Sequence, residues 1–332
     1  MDGTEKFLRV TEKFPQGFLY LRIPIGGEKC KDAWRLRGLN LHVDSAVRLI
    51  WPQQRKAMRS EKNNLETVID PFLKWAGGKR WLTQSHARLF PVHFKRYFEP
   101  FLGGASVFFH LKPDQALLSD INEELINAYQ AIKTDWGLVW RYLKDHHRQH
   151  GSKYYYRVRA QSSRSAASRA ARLIYLNRTC WNGLYRVNLS GDFNVPIGTK
   201  KWAVSESDDF AAIASSLANA RLVCNDFEAT IDEAAEGDLI FADPPYTVKH
   251  NFNGFVKYNE KLFSWEDQER LAVCLMRARN RGASIVSTNA NHPSVVELYK
   301  NEFELTTATR ASIIAGDSRA RGRFSELIIK SI

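Results

Sequence analysis

The stretch Leu239–Tyr246, LIFADPPY, decides the fold because it ends an apolar strand abruptly. Its first half is short, aliphatic and aromatic, which is typical of a strand covered on both faces. Pro244 and Pro245 cannot continue that strand, since each lacks an N–H and has a fixed φ. The chain therefore leaves the sheet just after Asp243, with a carboxylate and an aromatic ring on a rigid backbone. In open α/β sheets ligands bind at the carboxyl ends of strands, so this stretch predicts a binding site.

Strand and helix patterns alternate on both sides of this stretch. RYFEPFLGGASVFFHL predicts a strand, a glycine turn and a helix that opens at Ala105, and ALLSDINEELINAYQAI predicts a strand ending near Asp120 and an amphipathic helix. Further strands are predicted in ARLVCNDF and GASIVSTNAN, and two more in the tail after residue 302. Such alternation predicts an α/β fold with a doubly wound, mostly parallel, Rossmann-like sheet.

Three parts are predicted along the chain. Residues 1–69 form an N-terminal extension of unknown role, in which FLYLRIP could be a strand and VRLIWPQQRKAMRSEKNN ends in a charged, linker-like run. Residues 70–120 and 210–332 carry the alternating pattern of the sheet domain. The intervening residues 121–209 are helical and basic, which predicts an inserted helical domain.

Composition favours a polyanionic partner. The 332 residues carry a formal net charge of +12, and Lys and Arg gain affinity for nucleic acid by releasing counterions from phosphates. A merely basic protein is the alternative. Cys30, Cys180, Cys224 and Cys274 form no CxxC pair, which argues against a zinc site or disulfide framework and fits a reducing cytosol. Neither a signal peptide, a metal-ligand pattern nor an apolar run of roughly 18 residues is visible.

A glycine turn precedes the predicted helix that opens at Ala105. Gly103 and Gly104 would let the backbone approach a ligand at the start of that helix. Asp120 ends the next strand, and an acidic residue about 20 positions on is the usual partner of ribose hydroxyls. Together these residues favour a nucleoside cofactor over a plain turn.

Asp243 and Tyr246 suit chemistry on the amino group of a base. An exocyclic amine is a poor nucleophile because its lone pair is delocalised into the ring. A carboxylate and the Pro244 carbonyl, both accepting its hydrogen bonds, would stabilise the tetrahedral nitrogen that develops during reaction. Tyr246 offers a face on which a flipped base can stack. The alternative is a proline-rich strand exit with a surface tyrosine.

Several separated motifs, in this order, resemble the Dam-type N6-adenine-specific DNA methyltransferases (D12 class, alpha group). They are FLKWAGGK, FEPFLGGAS, LSDIN, YLNRTCWNGLYRVNLSGDFNVPIG, ADPPY and FSWEDQERL, and the resemblance covers residues 71–330. It implies S-adenosylmethionine as cofactor, residues 121–209 as a target-recognition domain, and direct methyl transfer to N6 of an adenine flipped out of duplex DNA. It also makes a GATC-like target the expectation.

The resemblance implies roles for residues at matching positions. Lys74 and Arg186 would contact guanines, and Trp181 would wedge into the base stack, although Trp181 could also be a core residue and Asn182 a turn former. The residues implied for catalysis are Asp243, Pro244, Pro245 and Tyr246. Those implied for cofactor binding are Trp75, Lys79, Phe101, Gly103, Asp120, Asp226, Phe227 and Asp243. Those implied for DNA binding are Lys74, Trp181, Asn182, Leu184, Arg186 and Pro196.

One departure from the family pattern keeps alternatives open. Ala105 stands where members often have the second glycine of Gly-x-Gly, so a catalytically inactive DNA-binding relative is one alternative. Another is an amino-methyltransferase acting on cytosine N4, RNA or a protein glutamine. The resemblance further implies a monomeric, bacterial or phage-encoded cytoplasmic enzyme associated with the nucleoid, with or without a partner restriction endonuclease.

Overall fold

The computed structural model describes residues 19–23, 31–35, 69–188, 190–248, 263–311 and 323–331. The chain divides into two compact units, Met1–Thr67 and Val68–Ile332. In the first unit, β1 (Leu19–Ile23) pairs antiparallel with β2 (Lys31–Arg35). The strand predicted in FLYLRIP is thereby confirmed, while VRLIWPQQRKAMRSEKNN lies outside the described residues.

The larger unit is built on a seven-stranded sheet. Its strands are β3 (Tyr97–Glu99), β4 (Ala116–Asp120), β5 (Ala220–Cys224), β6 (Leu239–Ala242), β7 (Ser284–Ala290), β8 (Glu304–Ala311) and β9 (Arg323–Ser331). The order is β5-β4-β3-β6-β7-β9-β8, with β3 to β7 parallel and β9 antiparallel to both of its neighbours. The predicted mostly parallel α/β sheet is confirmed. Strand order reverses between β3 and β6, which is where such sheets bind ligands.

Nine helices accompany the strands in the described part of the larger unit. They are α1 (Arg80–Ser85), α2 (Ser106–Leu111), α3 (Glu123–Arg148), α4 (Ser152–Ala160), α5 (Ala166–Thr179), α6 (Phe210–Ser216), α7 (Phe227–Asp232), α8 (Trp265–Asn280) and α9 (Pro293–Tyr299). The Asn122 side chain caps α3, and Ser264 with Asp267 forms a capping box on α8. No described helix has the length and apolarity to cross a membrane.

Both faces of the sheet are covered. On β6, Leu239 and Phe241 join a core cluster that contains residues of α3 and α5, while Ile240 and Ala242 join one that contains residues of α7, α8 and α9. All four side chains are at most 1% exposed. This explains why the strand has the continuous apolar sequence LIFA, because neither face of a strand covered on both sides meets water.

Helix α3 connects the sheet with the helical middle of the chain. Its first half contributes Leu125 and Tyr129 to the core, and its backbone is non-helical at Asp135. Beyond that kink Val139 and Leu143 are buried in the same cluster as residues of α5. Since residues 68–332 form one compact unit, the boundaries placed at residues 121 and 209 stay a prediction.

Candidate functional site

Polar side chains gather where four neighbouring parallel strands end. Glu99 and Asp120 are the last residues of β3 and β4, Asp243 directly follows β6, and Thr288 lies near the end of β7. The Thr288 hydroxyl donates a 2.8 Å hydrogen bond to Asp243 Oδ1. We call Glu99, Asp120, Asp243 and Glu326, the last on β9, the acidic edge.

One ammonium group lies between two carboxylates of the acidic edge. Lys79 Nζ is 2.9 Å from Asp243 Oδ1 and 3.4 Å from Glu326 Oε2, and the Lys79 side chain is only 3% exposed. It also donates to the Gly77 carbonyl at 2.8 Å and lies 5.0 Å from the centroid of the Tyr246 ring. The Tyr246 hydroxyl donates to Glu326 Oε2 at 2.9 Å. The predicted residues Lys79, Asp243 and Tyr246 are therefore in one cluster.

Burial sets the protonation of this cluster. It raises the pKa of Asp243, against the opposing effects of the Lys79 ammonium and the Thr288 hydroxyl. Burial also raises the pKa of Tyr246 well above its usual range, and the charges of Asp243 and Glu326 raise it further. The phenol therefore remains a hydrogen-bond donor. Because the Asp243 side chain keeps 18% of its exposure, it can accept a hydrogen bond from a ligand.

The glycine turn is shaped by a tryptophan. Gly103 has a φ of +46°, and a Cβ there would lie 2.7 Å from Trp75 Cδ1. Its N–H donates to Asp120 Oδ2 at 3.2 Å, while Asp120 Oδ1 accepts from the Asn122 N–H at 3.0 Å. Burial raises the pKa of Asp120 to about 6. Ala105, the departure from the family pattern, adopts a left-handed φ of +52°, a conformation that glycine adopts without strain.

The Glu99 carboxyl occupies the start of the helix that follows this turn. It accepts a 2.9 Å hydrogen bond from the Tyr97 hydroxyl, and the Phe108 backbone N–H of α2 favours its ionised form. Burial raises the pKa of Glu99 well above its usual range, and the charges of Asp243 and Asp120 raise it further. The helix terminus that binds phosphate in many nucleotide-binding proteins is thus filled by an acid here.

An aromatic pair lies beyond the glycine turn. The rings of Phe101 and Phe227 are stacked with centroids 5.4 Å apart, and the Arg270 guanidinium lies 4.1 Å from the Phe227 centroid. Arg270 also binds both oxygens of Asp226, at 2.7 and 2.9 Å, and these hydrogen bonds lower the pKa of Asp226. The predicted Phe101, Asp226 and Phe227 are therefore neighbours.

Residues 179–198, which we call the recognition loop, are held against Lys74 by one buried amide. The Asn177 side chain accepts from the Lys74 N–H and donates to the Lys74 carbonyl, both at 2.8 Å, and donates to the Gly183 carbonyl at 3.2 Å. Asn177 is fully buried, and the Lys74 side chain covers Gly183, which has a φ of +66°. Two predicted DNA-binding segments about a hundred residues apart thus meet.

Side chains predicted to bind DNA project from this loop. Trp181 is 46% exposed, so it is not a core residue. Asn182 is exposed with a φ of +55°, which also suits its alternative role as a turn former. The exposed Arg186 donates through Nε to Asn194 Oδ1 at 2.8 Å.

The rest of the loop closes on itself. Leu184 is half-buried and Pro196 exposed, and the Pro196 carbonyl accepts from the Trp181 N–H at 2.9 Å. The Gly198 N–H donates to the Thr179 carbonyl at 2.8 Å, so the loop returns to the end of α5. The structure therefore brings the predicted DNA-binding residues together on one connected segment.

Trp75 connects the two halves of the site. It touches Gly103 of the glycine turn and stacks on Tyr185 of the recognition loop, with centroids 5.2 Å apart and planes 24° apart. Tyr185 in turn packs on Phe193, with centroids 5.9 Å apart. A side chain predicted for the cofactor is thus also a support for the loop.

Sequence reasoning missed several residues of the site. Glu326 gave a signal, since an acid beside the buried run LII at the chain's end is unusual. Thr288, in the polar run STN inside a buried strand, gave another. Nothing local distinguished Asn177 from other polar residues of an amphipathic helix. The residues missed are Glu99, Asn177, Arg270, Thr288 and Glu326.

Comparison with known proteins assigns the family. The model of the D12 class N6 adenine-specific DNA methyltransferase family matches residues 75–313. The chain is 35% identical over 279 residues to a Type II methyltransferase of Lactococcus lactis subsp. cremoris, covering 81% of this chain and 97% of that protein. It is 37% identical over 256 residues to the DNA N-6-adenine-methyltransferase of Escherichia phage P1, covering 74% of this chain and 33% of that protein. It is 31% identical over 266 residues to the DNA adenine methylase of Vibrio cholerae, covering 77% of this chain and 94% of that protein. The chain therefore belongs to the D12 class of N6 adenine-specific DNA methyltransferases.

Proposed function

We propose that this enzyme transfers the methyl group of S-adenosylmethionine to N6 of an adenine flipped out of duplex DNA, at a GATC-like site. The observation that carries the proposal is the Asp243 carboxylate, which stands on a rigid proline exit at the strand-order reversal. Lys79 and Thr288 both contact its Oδ1. Among the described residues none donates to Oδ2, which leaves that oxygen for the substrate amine.

The charge of the acidic edge favours a cationic cofactor. The four carboxyl groups lie near one buried ammonium in the described part of the chain, that of Lys79, which contacts Asp243 and Glu326. A phosphate-bearing cofactor would be repelled by the ionised carboxylates, and Glu99 already occupies the start of α2. S-adenosylmethionine carries a sulfonium and no phosphate, so an acidic site stabilises it.

The surroundings of the acidic edge supply the remaining cofactor contacts that we propose. Asp120 would accept hydrogen bonds from the ribose hydroxyls, because Gly103 and Asn122 already fix its position. The Phe101 and Phe227 pair provides a flat apolar wall for the cofactor's adenine, with Asp226 beside it. Trp75 would line the methionine end next to the glycine turn.

In the reaction we propose, the protein orients the amine and stabilises its developing charge. The bound cofactor supplies an electrophilic methyl group on sulfur. Asp243 Oδ2 and the Pro244 carbonyl would accept hydrogen bonds from the two N6–H groups. These hydrogen bonds would direct the nitrogen lone pair toward the methyl carbon. The N–C bond would form as the S–C bond breaks, with the S–C electron pair left on the sulfur of the departing S-adenosylhomocysteine, and N6 would then release one proton to solvent. The flipped base would be held by stacking on the Tyr246 ring, whose position is fixed by the rigid backbone at Pro245.

DNA recognition would come from the recognition loop and Lys74. Arg186 is exposed and can bind guanine O6 and N7 through both arms of its guanidinium. Lys74 would contact a second guanine, and Trp181 is an exposed aromatic that can enter the base stack. Asn182, Leu184 and Pro196 would border the same bases. We further propose that the enzyme acts as a monomer in the cytoplasm of a bacterium or phage-infected cell.

Asp243→Ala tests the mechanism. Single-turnover transfer from labelled S-adenosylmethionine should fall by at least about 100-fold, since losing one preorganised hydrogen-bonding group costs about that much. Saturating DNA and cofactor, with the melting temperature as a check on folding, separate this loss from weak binding. A folded variant that transfers methyl at the wild-type rate would refute the mechanism.

A further inference from the structure

Glu326 is a buried acid that the reaction described above does not use. It lies on β9, between Ala290 of β7 and Ala308 of β8 in the sheet register, and beyond the residues matched by the family model. Its side chain is 3% exposed. A carboxylate at this depth is stable only with partners, and its partners include Tyr246 and Lys79. Both belong to the proposed methyl-transfer site.

The geometry gives Glu326 two effects on that site. Its Oε2 fixes the Tyr246 hydroxyl at 2.9 Å, which sets the ring against which the flipped adenine would stack. The same oxygen is 3.4 Å from Lys79 Nζ, which is 2.9 Å from Asp243. Because one ammonium is shared by two carboxylates, its charge does not fully neutralise Asp243. Asp243 therefore keeps its strength as an acceptor for the amine.

We propose that Glu326 is a positioning residue for methyl transfer, acting through Tyr246 on base stacking and through Lys79 on the acceptor strength of Asp243. The proposal rests on the proposed function. It assigns the C-terminal strand a role in the reaction, although that strand holds none of the residues implied by the family resemblance.

The effect of Glu326 on the acceptor strength of Asp243 predicts the direction in which the pH profile of activity shifts when the Glu326 charge is removed. Among the described residues, the ionisable groups coupled to Asp243 include Lys79, Glu326, Glu99 and Tyr246. Lys79 lowers the pKa of Asp243, while Glu326 raises it. Asp243 must be ionised to accept from the amine, so activity is lost as pH falls through its pKa. Removing the Glu326 charge lowers that pKa, and the acid limb of kcat/KM then moves to lower pH.

The experiment is a pH profile of kcat/KM for the full chain with S-adenosylmethionine and a GATC duplex. Glu326→Gln removes the charge, while its amide oxygen can still accept from the Tyr246 hydroxyl. It should lower the plateau about 10-fold, the difference between a hydrogen bond to a charged acceptor and one to a neutral acceptor, and move the acid limb to lower pH. Glu326→Asp keeps the charge, so its acid limb should stay in place. Tyr246→Phe loses the hydrogen bond alone and should lower the plateau without moving the limb.

A structural control separates positioning from stability. Asp238 is a buried acid before β6 that accepts from Arg96 at 2.6 Å, and Asp238→Asn should lower the melting temperature while leaving the acid limb unmoved. An unmoved acid limb in Glu326→Gln, or a plateau no lower than that of Asp238→Asn, would overturn the role of Glu326. If the folded wild-type chain transferred no methyl group, the proposed function itself would be refuted, and with it the premise of the role of Glu326.

Discussion

The acidic edge and the recognition loop hold their functional residues by opposite means. At the acidic edge the side chains are buried and fixed by one another, as in the Lys79 contacts with Asp243 and Glu326. In the recognition loop Trp181 and Arg186 are exposed, and it is the backbone that is fixed, by Asn177 and by tight glycine contacts. Chemistry benefits from charges held away from water. Reading DNA requires side chains that can reach outward from a rigid frame.

The largest effect is expected at the glycine turn. Gly103→Ala would place a Cβ 2.7 Å from the Trp75 indole at a φ of +46°, and Trp75 cannot move freely because it stacks on Tyr185. We expect cofactor affinity to fall by about 10- to 100-fold, since a strained residue costs about 1–3 kcal/mol and the added Cβ also displaces the indole. Calorimetric titration with S-adenosylmethionine measures this.

Gly104→Ala is the matched control for the glycine turn. Its added Cβ would lie 3.4 Å from Trp75 Cβ, and Gly104 has no positive φ. Cofactor affinity should change little. Equal losses in the two variants would show that the turn is not shaped by Trp75 in the way described.

The next largest effect is expected on DNA binding, from a substitution in the recognition loop that does not touch the acidic edge. A Cβ at Gly198 would overlap the Cys180 carbonyl, which is backbone and cannot move aside. Gly198→Ala should therefore displace the recognition loop and weaken DNA binding by about 10-fold or more. Cofactor affinity should fall less, because the loop reaches the glycine turn only through the stack of Tyr185 on Trp75. Gly151→Ala, where a Cβ meets nothing within 4 Å, should leave both unchanged. An equal loss of cofactor binding and DNA binding in Gly198→Ala would contradict this difference between the two regions.

A narrower effect, confined to one base pair, is expected where we propose that the loop reads a base. Arg186→Ala should cost about 1–3 kcal/mol of discrimination at one guanine, the usual worth of a bidentate contact. Relative kcat/KM on GATC duplexes and on duplexes with a single replaced guanine measures it. Uniform weakening on all sequences would make Arg186 a phosphate contact instead.

The smallest effect concerns pH and Asp120. Burial raises the pKa of Asp120 to about 6, so the carboxylate is populated above that pH and lost as the pH falls through it. Cofactor affinity should weaken about threefold or more between pH 7.5 and 5.5, because a neutral acid accepts ribose hydroxyls less well. Asp120→Asn should bind more weakly and vary less over the same range. A variant with the wild-type pH dependence would rule out Asp120 as its source.

How much the sequence could predict differs between the same two regions. The stretch LIFADPPY predicted a strand covered on both faces and the point at which the chain leaves it, because the apolar run and the two prolines determine the structure of their own segment. The glycine turn and Asp120 were predictable for the same reason. Glu326 was not, because its contacts to Tyr246 and Lys79 cross 80 residues of chain or more, and alternation tells which face a side chain takes but not its partner. Asn177 was missed likewise, since its partner Lys74 lies 103 residues away along the chain and is brought to it only by folding.

The decisive measurement is methyl transfer to unmethylated duplex DNA, followed by sequencing that distinguishes modified bases. We predict that the purified chain and S-adenosylmethionine produce N6-methyladenine confined to one short motif, GATC. Methyl groups on cytosine, or tight DNA binding with no transfer by the folded protein, would contradict it.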